Sequence, residues 1–405
     1  MPERRRAVAL LYLRTGSRFE TPSDNGLSHF VEHMLFRGTE QHPSAYQLAQ
    51  AFEELGGTLD ASTAADHGTL GIAVPPENLR AVLPLLAEVY QRPLFSDIDL
   101  ERGIIREEIH EELNEHGKWT DPATLARATA FSGSTLGQPI IGSLDNVERF
   151  NLEQIRAHHQ RTYVGQRLIV SVAGPVDASE IFEDVTRAFA EVPQGGALLS
   201  ATPELQTTPR FCHVHHPGTS QTRLSLSHRC PGHADPNEPA LDMLMRVIDD
   251  GMATRLYHRL CDQRGLCYTV SGSYETYSDV GLLELEADTA HENAGAVVEQ
   301  MHALCDELAT DLVSDREFDR ARKRASWQYE ALTDEVGDTA DFLAMAALTQ
   351  TARTPAERLQ QILAVSKEDV RAAAQAVFQQ SVRSLVAVGS NKASLKAQLE
   401  KLALG

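Results

Sequence analysis

Hydrophobic and polar positions follow two different periods along the chain. In some runs, apolar residues alternate with polar ones or follow each other without a break, which is typical of strands. These runs lie at 7–14, 68–74, 167–174, 222–228, 268–275, 281–287 and 384–389. In longer stretches, apolar residues recur about every 3.6 positions, as they do in amphipathic helices. These stretches lie at 26–37, 44–55, 77–91, 97–115, 152–163, 179–190, 237–250, 291–310 and 315–332. The mixture of strands and long helices predicts an α+β fold.

One segment near the middle of the chain, 193–209, is rich in Pro, Gly, Ser and Thr, which is typical of a linker. A chain of 405 residues is also longer than one ordinary hydrophobic core requires. We therefore predict an N-terminal domain at 1–195, a linker at 196–209 and a C-terminal domain at 210–405.

The two predicted domains resemble each other in the order of their elements. In the first domain, the strand at 68–74 precedes one helix, and a second helix opens at 97–102. In the second domain, the strand at 281–287 precedes one helix, and a second helix with a similar opening begins at 315–320. A repeated strand–helix–helix order at similar spacing predicts a duplicated domain.

The predicted duplicates differ in the residues that can carry chemistry. Glu101 and Glu108 of the first domain correspond to Asp319 and Ser326 in the second. The second domain also has no counterpart of the His-x-x-Glu-His sequence that begins at His29. We therefore expect the chemistry to reside in the first domain.

The composition limits the kinds of binding partner and the cellular compartment that we expect for this chain. A formal net charge of −20 argues against binding to nucleic acid or to an anionic membrane surface, and suits cationic peptides. The five cysteines all lie in the second half without a Cys-x-x-Cys pair, which predicts reduced thiols and a cytoplasmic location. The apolar run at 7–13 is short and is followed by Arg14, so it predicts a strand rather than a signal peptide or membrane span. Export stays open if the N-terminus has been trimmed.

The strongest candidate for chemistry is the sequence His29-Phe-Val-Glu-His33. Residues four apart on a helix project from one face, so His29 and His33 can reach a single Zn²⁺ at about 2.0–2.1 Å. Glu32 leans over the same position, and in this inverted zincin motif the Glu activates a metal-bound water. A catalytic zinc needs a third protein ligand and leaves a fourth position for water.

The third ligand is predicted on the Glu-rich helix at 97–115. A projection at about 100° per residue places Glu101 and Glu108 on one face, flanked by Ile104 and Ile105. An unpaired carboxylate on an apolar face is costly, so this pair is expected to meet a cation. We predict Glu108 as the ligand and Glu101 as a helper that orients a ligand or the water.

Other readings compete with this one. A histidine or glutamate on a helix is more often a solvated or satisfied residue than a ligand, and a five-residue motif also arises by chance. A weaker alternative metal cluster is His213, His215 and His216, where strand alternation would place the first two on one face. His158 and His159 are expected at the surface.

The motifs together resemble the pitrilysin-type inverzincin metallopeptidases, most closely the mitochondrial processing peptidase β-subunit and its bacterial relatives. The matching segments extend over nearly the whole chain. They are 15–20, 26–39, Gly56-Gly57, Ala61 with Thr63, Glu101-Arg102, Glu107-Glu108, 136–142, 172–174, 265–268 and 277–281.

The resemblance implies two homologous α/β-layered domains of the processing-peptidase-like metallohydrolase type, forming half of a clamshell chamber. It implies a zinc endopeptidase with His29, His33 and Glu108 as ligands and Glu32 and Glu101 as catalytic groups. Substrates of the family are peptides or unfolded segments that add as a strand to an edge of the metal domain. That edge corresponds to 58–63 in this sequence, with Asp60 and Ala61 in contact with substrate, and Tyr268 contacts substrate from the second domain.

The sequence departs from the family pattern at three places. Family chains have a further strand some twenty residues earlier, so the first sheet is expected to lack or borrow an edge. Asp60 stands where Asn is frequent, and Cys261 stands where an Arg seven residues before Tyr268 completes the substrate contact. Arg259 and Arg264 are out of register.

These departures leave several arrangements open. The chain is expected to form a homodimer or a heterodimer with a related metal-free chain. It is either an active peptidase, the zinc-carrying subunit of a two-chain enzyme, or a peptide-binding scaffold that does not cleave. A zinc hydrolase acting on a non-peptide amide is a weaker alternative.

Overall fold

The computed structural model describes residues 4–198, 200–351, 353–390 and 392–405. Its strands form two separate sheets. The strands are β1 (Ala7–Leu13), β2 (Asp60–Thr63), β3 (Gly68–Val74), β4 (Leu168–Ala173), β5 (Arg210–His215), β6 (Gln221–Pro231), β7 (Cys267–Thr276), β8 (Val280–Ala290) and β9 (Arg383–Gly389).

Helices surround both sheets. They are α1 (Leu27–Leu35), α2 (Ala45–Glu54), α3 (Leu79–Gln91), α4 (Ile98–Glu112), α5 (Pro122–Ala130), α6 (Leu144–Arg149), α7 (Leu152–Thr162), α8 (Ala178–Ala188), α9 (Glu238–Ile248), α10 (Arg255–Tyr257), α11 (Ala294–Thr310), α12 (Asp315–Ala331), α13 (Val336–Leu348), α14 (Pro355–Ala364), α15 (Lys367–Val377) and α16 (Ala393–Leu404). None of them, within the described ranges, combines the length and the apolar character that crossing a membrane requires.

The described chain divides into two compact units. The first unit is built from Met1–Ile109, Gln138–Ala201 and Glu330–Pro355, and the second from the remaining segments, apart from the few residues that the structure does not describe. The division between 201 and 202 lies in the predicted linker, but each half of the chain also contributes one segment to the other unit. The domains predicted from the sequence are continuous segments and do not include this exchange of segments, because hydrophobic periodicity does not indicate which sheet a helix covers.

The first unit is an antiparallel sheet in the order β2-β3-β1-β4, with helices on both faces. Leu11 and Leu13 of β1 alternate with Val8 and Tyr12, so the strand buries both faces. One face packs against α2, α3 and α8 in the main hydrophobic core of the unit. The exchanged helix α13 covers the other face, where Val8 lies in a small apolar cluster with residues of that helix.

The second unit has the order β5-β9-β6-β8-β7. Four of its strands, β7-β8-β6-β9, repeat the order and antiparallel pairing of β2-β3-β1-β4. The fifth strand, β5, pairs in parallel with β9 at the edge that corresponds to the outer edge of β4. The repeated topology indicates that the two units are duplicates, and the described first sheet is one strand smaller.

An exchanged helix covers the second sheet as well. Helix α5 packs against β6 and β9. Its C-terminal carbonyl groups accept hydrogen bonds from the sheet, with Arg229 Nε donating to the Ala130 oxygen at 2.7 Å and Arg210 Nη1 donating to the Thr129 oxygen at 2.8 Å. The main core of the unit lies on the opposite face of the sheet. The exchange is therefore reciprocal, since α5 and α13 occupy corresponding places in the duplicated fold.

Candidate metal centre

Helix α1 carries the two histidines on one face. The helix places Phe30, Val31 and Met34 in the protein interior, which fixes its rotation about its own axis. His29 and His33, four residues apart, therefore lie one above the other, with their ring centroids 4.6 Å apart. His29 is buried and His33 is partly buried.

The carboxylate of Glu108 meets both imidazoles. Its Oε1 lies 3.6 Å from His29 Nε2, and its Oε2 lies 3.5 Å from His33 Nε2. Among the described residues, these three are the one group of His, Cys, Asp or Glu side chains with ligand atoms all within 4.8 Å of one another. The structure therefore brings together the three ligands predicted from the sequence.

The spacing of these atoms suits a tetrahedral metal ion. Two ligand atoms that lie about 2.0–2.1 Å from such an ion are about 3.3–3.5 Å apart. The two separations, 3.5 and 3.6 Å, each to a different oxygen of Glu108, are close to this value and longer than a normal hydrogen bond. Two imidazoles and one carboxylate also form a donor set that leaves a coordination position open in zinc hydrolases. The residues present fit a divalent metal ion.

A second carboxylate, that of Glu101, orients the His33 ring through its other nitrogen, Nδ1. The His33 Nδ1 atom lies 2.9 Å from Glu101 Oε2, and Glu101 is buried. Arg37, one turn beyond His33, pairs with the other Glu101 oxygen. Although burial alone would raise it, the pKa of Glu101 is held below its ordinary value by His33 and Arg37. This arrangement directs the His33 Nε2 atom towards Glu108, as expected for a carboxylate behind a metal ligand.

His29 has a different environment. Its Nδ1 is buried and has no hydrogen-bond partner among the described residues. Burial, with a smaller contribution from nearby His33, lowers the pKa of His29 to about 4. Burial acts in the same direction on His33, but the hydrogen bond with Glu101 and the nearby Glu108 carboxylate outweigh it and raise the pKa of His33 to about 9. Among the described residues, His29 therefore lacks the kind of hydrogen bond at Nδ1 that His33 forms with Glu101.

Glu32 lies between the histidines and the edge strand β2. The hydroxyl of Thr63 donates a hydrogen bond of 3.0 Å to Glu32 Oε2. Burial raises the pKa of Glu32, the neighbouring His33 and Thr63 lower it, and the net shift is upward. A carboxylate with a raised pKa is a stronger base than a fully solvated one, which suits a group that accepts and returns a proton.

The surroundings of Glu108 differ from the prediction. The helical projection placed Glu108 on an apolar face between Ile104 and Ile105. Ile105 is buried, but Ile104 is 44% exposed and the side chain of Glu108 is 43% exposed. The projection gave the direction of these side chains correctly relative to Glu101, but it could not show that this side of α4 borders an open surface.

The alternative histidine clusters do not form ligand groups. His213 and His215 lie on β5, partly buried and exposed, and they belong to no ligand group among the described residues. The expectation that His158 and His159 lie at the surface is wrong, because both are buried on α7. His158 Nε2 lies 3.1 Å from the Ser28 hydroxyl, and His159 Nε2 lies 2.9 Å from the Tyr90 carbonyl oxygen.

The predicted substrate edge is the outer strand of the first sheet. Strand β2 pairs with β3 on one side only within the described sheet. Asp60 is exposed on this strand and Ala61 is partly buried. Asp60 is close enough to Glu32 for its charge to raise the pKa of that carboxyl, as a minor contribution after burial.

Tyr268 lies at the start of β7 in the second unit, and its side chain is 90% exposed. The Sγ atom of Cys261 lies 4.0 Å from the Tyr268 carbonyl oxygen. Neither neighbouring arginine replaces the family Arg, because Arg259 pairs with Glu307 and Arg264 donates to the Arg259 carbonyl oxygen at 3.2 Å. The contact of Tyr268 with substrate stays a prediction.

Two functional contacts escaped the sequence reasoning. The pairing of Arg37 with Glu101 and that of Thr63 with Glu32 both join distant segments. Arg37 lies four residues after His33, so a search for cations on the same helix face could have found it. No local signal links Thr63 to Glu32, because the contact depends on how the sheet meets α1.

Two family profiles match the chain. "Insulinase (Peptidase family M16)" matches residues 1–143, and "Peptidase M16 inactive domain" matches residues 149–325. The first match contains all three candidate ligands and Glu32. The second extends over much of the second unit, where the described residues contain no metal-ligand group.

Curated relatives are similar over most of the chain. One is "Uncharacterized zinc protease YmxG" of Bacillus subtilis (strain 168), 28% identical over 79% of this chain and 77% of the relative. Another is "Uncharacterized zinc protease SCO5738" of Streptomyces coelicolor, 27% identical over 93% of this chain and 84% of the relative.

Solved structures share the fold. A protease from Helicobacter pylori has a TM-score of 0.88 at 20% identity, with 95% of this chain and 94% of that chain covered. A peptidase M16 inactive domain from Pseudomonas fluorescens has a TM-score of 0.88 at 18% identity, with 97% and 94% covered. At these identities the likeness concerns the fold alone.

Proposed function

Because this chain belongs to peptidase family M16, we propose that it is a zinc-dependent endopeptidase that hydrolyses short or unstructured peptides. The observation that carries the proposal is the spacing of the His29, His33 and Glu108 ligand atoms, which suits one tetrahedral ion. Relatives named zinc proteases support zinc as the ion. When bound, zinc would supply a Lewis acid that polarises the scissile carbonyl and acidifies a water molecule.

The residues of the chain would supply the proton transfers and the orientation. Glu32 takes the proton from the attacking water and returns it to the leaving amine, a role that its raised pKa supports. Thr63 holds the Glu32 carboxylate in place through its hydroxyl. Glu101 holds the His33 ring, and the charge of Arg37 keeps Glu101 ionised.

The substrate would bind as an added strand along β2. The outer edge of this strand is unpaired in the described sheet, and Thr63 at its end contacts Glu32. An extended peptide that pairs with β2 would therefore pass beside the base. Main-chain hydrogen bonds do not distinguish side chains, which is consistent with action on unstructured peptides of varied sequence.

The substitution Glu32→Gln tests the mechanism. It keeps the shape of the side chain but removes its ability to accept a proton, so we expect turnover of an unstructured reporter peptide to fall by about 10²–10⁴-fold. Zinc content, measured by elemental analysis, should stay near that of the unsubstituted chain, because Glu32 is not a ligand. The matched control is Glu107→Gln, whose side chain is 72% exposed on α4. Wild-type cleavage by the Glu32→Gln variant would exclude this mechanism.

A second candidate function is that of a zinc-carrying subunit that requires a related partner chain. The observation that favours it is Cys261, which stands where the family has an Arg near Tyr268. If the missing guanidinium limits activity, Cys261→Arg should raise cleavage by the isolated chain, whereas Cys261→Ala should not. Native mass measured on the same samples would show whether activity accompanies a second chain.

A further inference from the structure

A buried carboxylate caps the helix that carries the histidines. Glu20 is 2% exposed and lies six residues before Gly26, the N-terminal cap position of α1. The Gly26 backbone N–H donates to Glu20 Oε2 at 2.8 Å, and the Ser28 N–H donates to Glu20 Oε1 at 2.6 Å. The Asn25 side chain donates to the same carboxylate at 3.2 Å. One side chain thus satisfies two of the free N–H groups of the first turn.

No other group of the first turn can take over this task. Gly26 has no side chain with which to cap the helix, and its φ of +102° lies in the region that glycine favours. A Cβ at position 26 would approach Gly142 Cα to 2.9 Å, so a capping side chain does not fit there. The cap must therefore come from a distant residue, and Glu20 supplies it.

The capped residue directly precedes His29. Ser28 is fixed through its N–H, which donates to Glu20, and through its hydroxyl, which lies 3.1 Å from His158 Nε2 and 3.3 Å from Thr15 Oγ1. Within the described part of the chain, His29 Nδ1 has no hydrogen-bond partner, whereas His33 is held at Nδ1 by Glu101. The orientation of His33 thus depends on a neighbouring carboxylate, and that of His29 depends on the backbone of the first turn.

We propose that Glu20 is a positioning residue for the metal centre, which acts by fixing the first turn of α1 and thereby the Nε2 atom of His29. The inference rests on the proposed metal-binding function of His29, His33 and Glu108. It assigns to Glu20 the role towards His29 that Glu101 has towards His33. Its effect on metal binding must then pass through His29.

The test measures zinc affinity of the full chain by competition with a chromophoric chelator. Glu20→Gln should weaken zinc binding by about tenfold, as loss of a group that orients a ligand does. The absorption spectrum of the Co²⁺-loaded chain should change with it, since this spectrum reports ligand geometry. The matched control is Asp121→Ala, which removes the cap of α5, where Asp121 accepts from the Thr124 N–H at 2.8 Å. That control should lower the unfolding midpoint and leave zinc affinity unchanged.

Two double variants distinguish the positioning of His29 by Glu20 from a general loss of stability. In a His29→Ala background, Glu20→Gln should have no further effect on zinc affinity. In a Glu101→Gln background, which acts through His33, the tenfold loss should persist. Equal losses in both backgrounds, or a change below twofold in the unsubstituted background, would overturn the inference. Absence of zinc binding by the unsubstituted chain would instead refute the proposed function.

A milder variant covers the case in which Glu20→Gln does not fold. Asn25→Ala removes one donor to Glu20, together with the 2.9 Å hydrogen bond from Asn25 to the Pro139 carbonyl oxygen, and keeps the Glu20 carboxyl group itself. It should weaken zinc binding in the same direction by about threefold, again only when His29 is present. An Asn25→Ala chain with unchanged zinc affinity would count against the role of Glu20.

Discussion

The two units share one strand order but arrange their polar groups in opposite ways. In the first unit, His29, His33 and Glu108 stand at the separations of ligands around one ion, too far apart to satisfy each other fully. In the second unit, Arg358 pairs with Glu238 and Asp242, and Arg246 also pairs with Asp242, so the buried charges neutralise one another. Buried polar groups that pair among themselves stabilise a fold, whereas groups spaced around a common point are suited to binding a third species.

The corresponding helices α4 and α12 show how the difference arises in the sequence. Glu101 and Glu108 on α4 correspond to Asp319 and Ser326 on α12. Asp319 is exposed, and the Ser326 hydroxyl donates to the Arg322 carbonyl oxygen of its own helix at 3.1 Å. The two helices thus differ at both positions that α4 contributes to the candidate metal centre.

The largest expected effect comes from removing the ligand on α4. Glu108→Gln should weaken zinc binding by more than about 100-fold, because loss of a direct ligand exceeds the loss of an orienting group. Peptide hydrolysis should fall with it. The control in the second unit is Ser326→Ala, which should change neither quantity. Zinc affinity that survives Glu108→Gln would show that another carboxylate completes the site.

The second prediction concerns the buried ion network of the second unit. Arg358→Met removes the cation that pairs with the buried Glu238 carboxylate and one of the two that pair with Asp242, so the free energy of unfolding should fall by about 3–5 kcal/mol. Urea denaturation of the zinc-loaded chain would measure it. Zinc affinity should stay unchanged, since the network belongs to the other unit.

Arg324→Met provides the comparison for this network. Arg324 is 45% exposed where it pairs with Asp250, so its loss should cost less than about 1 kcal/mol. A loss of zinc affinity in Arg358→Met that exceeds its loss in Arg324→Met would show that the two units do not divide metal binding and stability in this way.

A third prediction compares two carboxyl groups whose pKa values are raised. Burial, assisted by the charge of Glu286, raises the pKa of Glu284 on β8 to about 8, and burial also raises the pKa of Glu32. Glu284 accepts a hydrogen bond from Ser225 at 3.1 Å but belongs to no metal-ligand group among the described residues. A raised pKa therefore does not by itself identify a functional site.

The pH dependence follows from the sign of this shift. Because the folded protein binds the Glu284 proton more tightly than the unfolded chain, the stability from this group is complete below about pH 4.5 and is lost as the pH rises to about 8. Glu284→Gln should therefore stabilise the protein, by about 1–3 kcal/mol at pH 8–9 and by little at pH 5. Denaturation curves at several pH values would measure the gain. An equal effect at all pH values would refute the assignment, and zinc affinity should not change.

The sequence was most informative where local geometry determines the result. The four-residue spacing of His29 and His33 and the seven-residue spacing of Glu101 and Glu108 are fixed by any α-helix, so their directions could be predicted. The sequence pattern also predicted the strands β1, β3 and β8 to within a few residues. These features depend on neighbours along the chain.

The features that were missed depend on tertiary packing. The exchange of α5 and α13 follows from which sheet face each helix covers, and hydrophobic periodicity does not contain this information. His158 is buried because α7 packs against α1, where it contacts Ser28. A polar residue in the interior is determined by its three-dimensional partner, so its burial could not be predicted from its own segment.

The smallest expected effect concerns a pair of corresponding threonines on the edge strands. Thr63 pairs with Gly68 at the end of β2, and Thr276 pairs with Gly281 at the end of β7. Thr63 donates to Glu32, whereas the hydroxyl of Thr276 lies 3.0 Å from a ring nitrogen of His233. The same position thus supports the proposed base in one unit and a histidine in the other.

Thr63→Val should lower kcat by about fivefold, since one hydrogen bond contributes about 1 kcal/mol and Glu32 would lose a fixed orientation. Zinc affinity should not change, because Thr63 contacts no ligand. Thr276→Val should leave kcat unaltered, although both substitutions remove a hydroxyl from an edge strand. If both variants lower kcat equally, the hydroxyl acts through the stability of the edge strand, and the link from Thr63 to the base loses its support.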